Sequence, residues 1–306
     1  MTEYSVVRTE TQAFNDQQPG TSGLRKSVKR FQTDNYVENF IQSFFNVLNA
    51  SEKGEDLTLI AGGDGRYFGK ECTQKIIKLA AANSRVKKLY VAQNGIMSTP
   101  AVSCCIRKYK LTSGIILTAS HNPGGPNGDF GIKFNCSNGG PAPSSVTDKV
   151  FEVSKHLNEY FSCPDLTCDI STISEHTFKI RNGDNVRDFH VQILDTVEDY
   201  LELMKEIFDF KLIQNLIKSG FHITMNSMNG VMGPYVKRIM CDELGLPEFE
   251  AVKCEPLEDF GGLHPDPNLT YAEDLVELMS QGNHDFGCAF DGKISINCSY
   301  HSLHYF

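Results

Sequence analysis

The chain alternates short apolar runs with longer amphipathic segments, and this pattern predicts strands and helices in turn. Apolar runs bounded by turn residues predict strands at 57–61, 88–92, 115–119, 131–135, 221–225, 251–254 and 286–291. Apolar residues that recur at three- and four-residue steps predict helices at 36–49, 70–83, 99–108, 197–208 and 233–244. This alternation favours an α/β fold in which helices cover sheets and functional residues lie in loops at strand ends.

Local signals predict how several of these elements begin and end. Thr99 followed by proline predicts an N-cap and the first turn of a helix, and the pair Thr270 and Glu273 fits a capping box. The amphipathic segment 151–160 predicts a helix that closes a first domain. The polar, weakly periodic segment 164–188 predicts an excursion between two domains.

The predicted organisation is a first domain at 1–190, a second domain at 191–292 and an unrelated tail at 293–306. A length of 306 residues suits two domains, and 40% hydrophobic residues provide for a sizeable core. The net charge of −9 argues against general attraction to nucleic acid or to an anionic membrane. An anionic substrate must therefore be drawn by a local cluster of cations.

Two further observations concern the cellular compartment. No apolar run approaches the length of a membrane span, and the N-terminal residues lack the pattern of a secretory signal. Most of the ten cysteines lie in apolar patterns typical of buried free thiols, and their spacing does not match a zinc site. Free thiols favour a reducing compartment, so we predict a cytoplasmic protein that does not contact a membrane.

The segment 115–129 carries the strongest chemical signal. Its apolar run breaks at Ser120 into a loop of glycine, proline and asparagine, which places one hydroxyl at the end of a predicted strand beside His121. The return strand brings Lys133 back to the same end. The pattern favours a phosphoryl-transfer serine, whereas turn chemistry alone would also fit an ordinary surface turn. A serine hydrolase is excluded because Ser120 and His121 are adjacent and the Gly-x-Ser-x-Gly elbow is missing.

Two other loops contain charged residues. The loop at 19–26 includes Arg25, and from sequence alone it is more typical of a mobile N-terminal arm with solvated charges. The turn at 62–66 lacks the Gly-Lys-Ser/Thr ending of a nucleotide P-loop. Its Asp64 and Arg66 are predicted to hold each other, in at most a supporting role.

Thr-Ala-Ser-His-Asn-Pro-Gly-Gly-Pro at 118–126 resembles the phosphoserine loop of the alpha-D-phosphohexomutases. The longer run 93–143 is similar to the eukaryotic phosphoglucomutases of that family, and the resemblance extends over 11–291. It implies two layered α/β/α domains with mixed sheets. It also implies an isomerase of sugar metabolism, an intramolecular phosphotransferase that interconverts glucose 1-phosphate and glucose 6-phosphate through a phosphoserine and glucose 1,6-bisphosphate, with Mg2+ as cofactor.

The resemblance assigns roles to individual residues. Ser120 would carry the phosphoryl group and supply one magnesium ligand, and Asp291 matches the first aspartate of the family's metal loop. Arg25 would bind the phosphate of the phosphosugar substrate, with Thr21 and Ser22 in support.

A phosphoserine holds close to two negative charges at neutral pH, so its transfer requires charge neutralisation and a general acid or base for the sugar hydroxyl. His121 and Lys133 are the candidates for the acid and base, and Lys133 is also a candidate phosphate ligand.

The sequence departs from the family at the metal loop. The family reads Asp-Gly-Asp-Gly-Asp-Arg, whereas this chain reads Asp291, Gly292 and Lys293 and then Ile-Ser-Ile. Lys293 places a cation where the second carboxylate is expected, and a single carboxylate makes a poor magnesium site. The resemblance stops at that point, and the family's two further domains, which recognise the sugar and its distal phosphate, are expected to be absent.

Two hypotheses follow. The first is a phosphoglucomutase lineage in which this chain alone has little or no turnover. The alternative is a truncated, non-catalytic isoform that acts as a binding or structural protein. Nucleic acid is not expected as a partner, and protein partners remain open.

Overall fold

The computed structural model of the chain describes residues 2–20, 22–51 and 54–293, and the backbone of 297–301. The strands are β1 Glu3–Ser5, β2 Val7–Glu10, β3 Leu24–Ser27, β4 Leu57–Gly63, β5 Val86–Ile96, β6 Ser113–Leu117, β7 Asp129–Cys136, β8 Glu159–Ser162, β9 Ser174–Asn182, β10 Asn185–Leu194, β11 Ile223–Asn226, β12 Ala251–Val252, β13 Phe286–Phe290 and β14 Asn297–His301.

The α-helices are α1 Val28–Phe31, α2 Tyr36–Ser51, α3 Gly69–Ala82, α4 Thr99–Tyr109, α5 Ser144–Ser154, α6 Glu198–Ile207, α7 Phe210–Lys218, α8 Met232–Tyr235 and α9 Glu273–Ser280. A π-helix at Val236–Glu243 continues α8, and short 3₁₀ turns lie at Glu248–Glu250 and Phe260–Gly262.

Eight strands form one mixed sheet in the order β1-β9-β10-β5-β4-β6-β7-β3. Its centre, β10-β5-β4-β6, is parallel, and β7 and β3 continue it antiparallel. Successive residues of a strand point to opposite faces, so Leu59 and Ile115 join the core beneath α2 and α3 while Ile60 and Ile116 join the core beneath α4 and α6. The expected layered α/β/α arrangement is confirmed.

A second, four-stranded mixed sheet has the order β12-β11-β13-β14. Its strands β12, β11 and β13 run parallel, and β14 pairs antiparallel with β13. The segment expected to be an unrelated tail therefore contributes a strand to this sheet. The division at 190/191 falls inside β10, which pairs with β5 up to Leu194, and the domain boundaries remain predictions.

The composition of the polar segment 164–188 suggested an excursion between domains, and this prediction was wrong. Most of it belongs to the hairpin of β9 and β10, which turns at Gly183 and adds both strands to the large sheet. The side chains of β9 are mostly half-buried or exposed, so backbone hydrogen bonds rather than apolar contacts define this strand. A weak hydrophobic pattern is the result.

Three predicted helix boundaries were wrong. The helix expected at 151–160 is α5, which ends at Ser154, and β8 follows where the helix was expected to continue. The N-cap of α4 is Ser98, whose hydroxyl accepts from the backbone N–H of Ala101, one residue before Thr99. Asn268, not Thr270, accepts the free N–H groups at 270 and 271, and α9 begins only at Glu273.

Candidate active site around Ser120

Ser120 lies three residues beyond the end of β6, and 2% of its surface is exposed. Its φ of 61° lies in the left-handed region, which is costly for a residue with a side chain. Thr118 stabilises this conformation: its hydroxyl accepts from the backbone N–H of Ser120 at 2.9 Å, and its own N–H donates to Gly131 on β7 at 2.8 Å. The neighbouring strand therefore fixes the direction of the Ser120 side chain.

A buried ion pair holds the Ser120 loop from beneath. Arg66 donates from Nε to Oδ2 of Asp64 at 2.9 Å, and both side chains are at most 1% exposed. The guanidinium also donates to the carbonyl of Ser120 at 2.9 Å and to that of Asp129 at 2.8 Å, while Asp64 accepts from the hydroxyl of Thr118. The prediction that Asp64 and Arg66 hold each other is confirmed, and the pair also supports the reacting loop.

Asp291 brings the end of the second sheet to Ser120. It follows β13 directly and is fully buried, and the Ser120 hydroxyl donates to its Oδ2 at 2.9 Å. Gly292 makes this approach possible, because a Cβ there would lie 2.9 Å from the Ser120 carbonyl oxygen. The two residues that the resemblance assigned as metal ligands are therefore in direct contact.

The Ser120 loop also contacts the segment before the 3₁₀ turn at 260–262. Gly125 donates to the carbonyl of Glu258 at 3.1 Å. A Cβ at Gly124 would lie 2.8 Å from that carbonyl oxygen and from the ring of Phe260. Gly124 therefore lets two loops of the protein pack together.

Three cations surround the contact between Ser120 and Asp291. Arg25 lies on β3 opposite Gly131, so the mobile arm favoured by sequence alone is wrong for this residue. Lys133 lies on β7 opposite Ile116. Lys293 follows Gly292 and is 8% exposed.

Burial and mutual repulsion lower the pKa of each of these three cations. Burial lowers the pKa of Lys133 to about 8, the charges of Lys293 and Arg25 act in the same direction, and Asp291 opposes them. Burial, followed by the charge of Arg25, also lowers the pKa of Lys293. The pKa of Arg25 is lowered by burial and by Arg66, and its Nε has no hydrogen-bond partner in the described part of the chain.

The remaining candidates are His121, Ser22 and Thr21. His121 is half-buried, and its Nδ1 is buried without a hydrogen-bond partner among the described residues. Ser22 is exposed in the turn between Gly20 and Gly23, whose backbones exchange two hydrogen bonds of 3.0 Å. Thr21 lies outside the described residues. The geometry thus groups Ser120, Arg25, Lys133 and Asp291, while the individual roles remain predictions.

The donor set around Ser120 does not fit a magnesium ion. Among the described residues, there is no group of three or more His, Cys, Asp or Glu side chains that could hold a metal. Beside Ser120 and Asp291 lies the ammonium of Lys293, which interacts electrostatically with that carboxylate. Mg2+ prefers several oxygen ligands in octahedral geometry, so one carboxylate with a neighbouring cation is a poor site.

Two protein-family models match the chain, and together they cover the residues of this site. The model of the phosphoglucomutase/phosphomannomutase alpha/beta/alpha domain I matches residues 16–161, and that of domain II matches 198–294. The chain belongs to the phosphoglucomutase/phosphomannomutase family. Ser120 lies within the domain I match and Asp291 within the domain II match, so the candidate site forms where the two family domains meet.

Individual relatives agree with this assignment. The chain is similar to human phosphoglucomutase-1, with 56% identity over 94% of this chain and 51% of the human protein. It is 47% identical to a protein from Populus tremula named cytoplasmic phosphoglucomutase, over 97% of this chain and 52% of that one. The open-form crystal structure of parafusin from Paramecium, titled a phosphoglucomutase, matches with a TM-score of 0.94 at 41% identity, covering 99% of this chain and 56% of that chain.

The extent of these matches limits the comparison, because the chain spans about half the length of the relatives it matches. In the described part of the chain, no helix is both long and apolar enough to cross a membrane.

Sequence reasoning underestimated two residues of the site. Arg66 was expected to pair with Asp64, but its bonds to the Ser120 and Asp129 carbonyls join positions 54 and 63 residues apart in the chain. Lys293 was treated only as a disturbance of a metal loop. The signal that could have identified it was its place immediately after a buried strand and a glycine, where the loop reaches the serine.

Proposed function

We propose that Ser120 accepts and returns a phosphoryl group, as the phosphoserine of a phosphoglucomutase-type reaction between glucose 1-phosphate and glucose 6-phosphate. The observation that carries this proposal is the buried hydroxyl of Ser120, which faces one carboxylate and three cations at the meeting point of the two family domains. The name of the human relative supports the choice of glucose phosphates.

The proposed step forms a bond between Ser120 Oγ and phosphorus as the bond between phosphorus and the sugar oxygen breaks. The Ser120 proton leaves along its hydrogen bond to Asp291, and the departing sugar oxygen takes a proton from Lys133 or His121. A lysine whose pKa is about 8 suits this task, because it exchanges protons readily near neutral pH. Arg25 and Lys133 offset the charge that spreads over the phosphoryl oxygens.

Written with glucose 1,6-bisphosphate as the donor, this step leaves a glucose monophosphate. In the reverse direction the phosphoserine gives its phosphoryl group to the free hydroxyl of glucose 1-phosphate, which forms glucose 1,6-bisphosphate, and Ser120 then takes the phosphoryl group at position 1 and leaves glucose 6-phosphate. We further propose that this chain alone turns over slowly or not at all. Its donor set does not fit the magnesium ion that the family resemblance implies, so none of the steps above depends on a metal. The non-catalytic alternative predicts the same absence of turnover, whether or not Ser120 is phosphorylated.

The experiment is to incubate the purified chain with glucose 1,6-bisphosphate and to measure its intact mass. We expect one added phosphoryl group, located at Ser120 by fragmentation, and none on Ser120→Ala. A coupled assay for glucose 6-phosphate in the same samples measures turnover. Absence of label on the wild-type chain, or equal label on Ser120→Ala, would contradict the proposal.

We also propose a cytoplasmic location. The described cysteines are free thiols, and most of them are buried. The printed name of the Populus relative agrees with this location. Fractionation of cells that express the tagged chain tests it.

A further inference from the structure

Lys293 lies in a loop that is fastened to both family domains. The N–H of Gly292 donates to the carbonyl of Pro265 at 3.2 Å, and the carbonyl of Gly292 accepts from Val231 at 3.2 Å. On the other side Gly292 packs against the Ser120 backbone. Lys293 is 8% exposed, and its charge acts on Arg25 and Asp291, so its side chain lies at the site.

The charges at the site do not balance. Nε of Arg25 is buried and has no hydrogen-bond partner among the described residues. No described carboxylate lies within ion-pair distance of Lys133 or Lys293, although Asp291 acts electrostatically on both. Three carboxylates lie nearby. Asp64 is paired with Arg66, Asp129 accepts from the side-chain amide of Asn122 and acts electrostatically on Arg25, and Asp291 accepts from the Ser120 hydroxyl. Together with Arg66, the cations of the site still outnumber these carboxylates, by four to three. Positive charge in surplus at a largely buried site is costly, so this arrangement favours a bound anion.

We propose that Lys293 replaces a divalent cation at this site: its ammonium, with Arg25 and Lys133, holds a phosphoryl dianion at Ser120 without any metal. This inference rests on the proposed function of Ser120. A phosphoryl group brings close to two negative charges and several acceptor oxygens, which match the surplus charge and the unused donors. The Asp291 carboxylate accepts from the Ser120 hydroxyl, whereas the ammonium of Lys293 offers donors that a carboxylate at 293 would lack.

The probe is inorganic phosphate, titrated calorimetrically into the unphosphorylated full chain, once in excess EDTA and once in excess magnesium chloride. We expect the two affinities to agree within about twofold, because no ion mediates the contact. Binding that disappears in EDTA would overturn the inference.

Variants at 293 test the ammonium itself. Lys293→Met should weaken phosphate binding at least tenfold, roughly the loss of one charge-assisted hydrogen bond, and Lys293→Arg should restore most of it. Lys293→Met should fold at least as well as the wild type, since it removes an uncompensated buried cation. Phosphate affinity that is equal in wild type and Lys293→Met would overturn the inference.

The matched control is Lys237→Met, which makes the same change of net charge at a lysine whose side chain is 59% exposed. It should leave phosphate affinity within about twofold, because solvent and salt screen such a charge. A loss as large as that of Lys293→Met would overturn the inference, since net charge alone would then explain the binding.

Lys293→Asp provides the reciprocal test, because it installs the carboxylate that the family motif carries. Its phosphate binding should be lost in EDTA and recovered by magnesium. Binding that stays tight in EDTA would overturn the inference.

The failure of this inference can be told apart from failure of the proposed function. If glucose 1,6-bisphosphate never labels Ser120 while phosphate binding depends on Lys293, the phosphoserine proposal fails and the anion site stands. If Ser120 is labelled but phosphate binding requires magnesium, only the role of Lys293 fails.

Discussion

Two groups of charged side chains lie within the same site, and they differ in whether each charge has an ion-pair partner. Asp64 and Arg66 form a fully buried pair in which the guanidinium also donates to two backbone carbonyls. Lys133 is half-buried and Lys293 is 8% exposed, and in the described part of the chain no carboxylate lies within ion-pair distance of either. The difference indicates that the first group holds the loop in shape, whereas the second group is organised for a ligand that brings the missing negative charge.

The largest effect is expected when one member of the buried pair of Asp64 and Arg66 is removed. Arg66→Met leaves Asp64 buried without its partner and frees the carbonyls of Ser120 and Asp129, so we expect a loss of about 3–5 kcal/mol in the free energy of unfolding. Urea denaturation measures it.

Arg30→Met is the matched control. Arg30 forms a bidentate pair with Asp16, with both bonds at 2.9 Å, but the side chains are 37% and 34% exposed. Its loss should cost about 1 kcal/mol or less, which includes its packing on the rings of Phe14 and Tyr36. Equal losses for Arg66→Met and Arg30→Met would mean that burial of the pair near Ser120 has no special importance.

A smaller effect on the free energy of unfolding, of opposite sign, is expected when Lys133 is replaced. Lys133 has a folded pKa of about 8, below its ordinary value of 10.5, because burial, Lys293 and Arg25 outweigh Asp291. Between these two values the unfolded chain binds a proton that the folded chain releases, so this lysine makes folding more favourable as pH rises. Below pH 8 it opposes folding by a constant amount.

Comparison with Lys133→Met isolates this contribution. At pH 7 the variant should gain stability relative to the wild type, and between pH 8 and pH 10 the wild type should recover about 1–3 kcal/mol of the difference. Urea denaturation at several pH values measures it. A difference that stays constant from pH 7 to pH 10 would show that Lys133 is not an uncompensated cation.

The elements that sequence reasoning predicted best are those with strong apolar patterns. The helix expected at 36–49 is α2, and the strand that precedes Ser120 is β6. The hairpin of β9 and β10 was not predicted because its first strand is half-exposed and is held by backbone pairing, which leaves no strong apolar pattern. Local capping signals were misplaced because nearby alternatives, Ser98 and Asn268, accept the same backbone donors.

The site was predicted in part for a similar reason. Ser120 follows β6 and Lys133 lies on β7, which pairs with β6, so the sequence could place them at one end of the sheet. The contact of Ser120 with Asp291 spans 171 residues, and only the family resemblance pointed to it. The position of Lys293 after a buried strand indicates only that it lies near a strand end, and nothing in the local pattern around Arg66 indicates which distant backbone it will meet.

The central claim is that the cations around Ser120 bind a phosphoryl group carried on its hydroxyl. Phosphorus-31 NMR of the chain after treatment with glucose 1,6-bisphosphate and removal of free sugar phosphates tests it most directly. The account predicts one phosphoserine resonance that is absent from Ser120→Ala and unmoved by EDTA. A spectrum without that resonance, or the same resonance in Ser120→Ala, would contradict it.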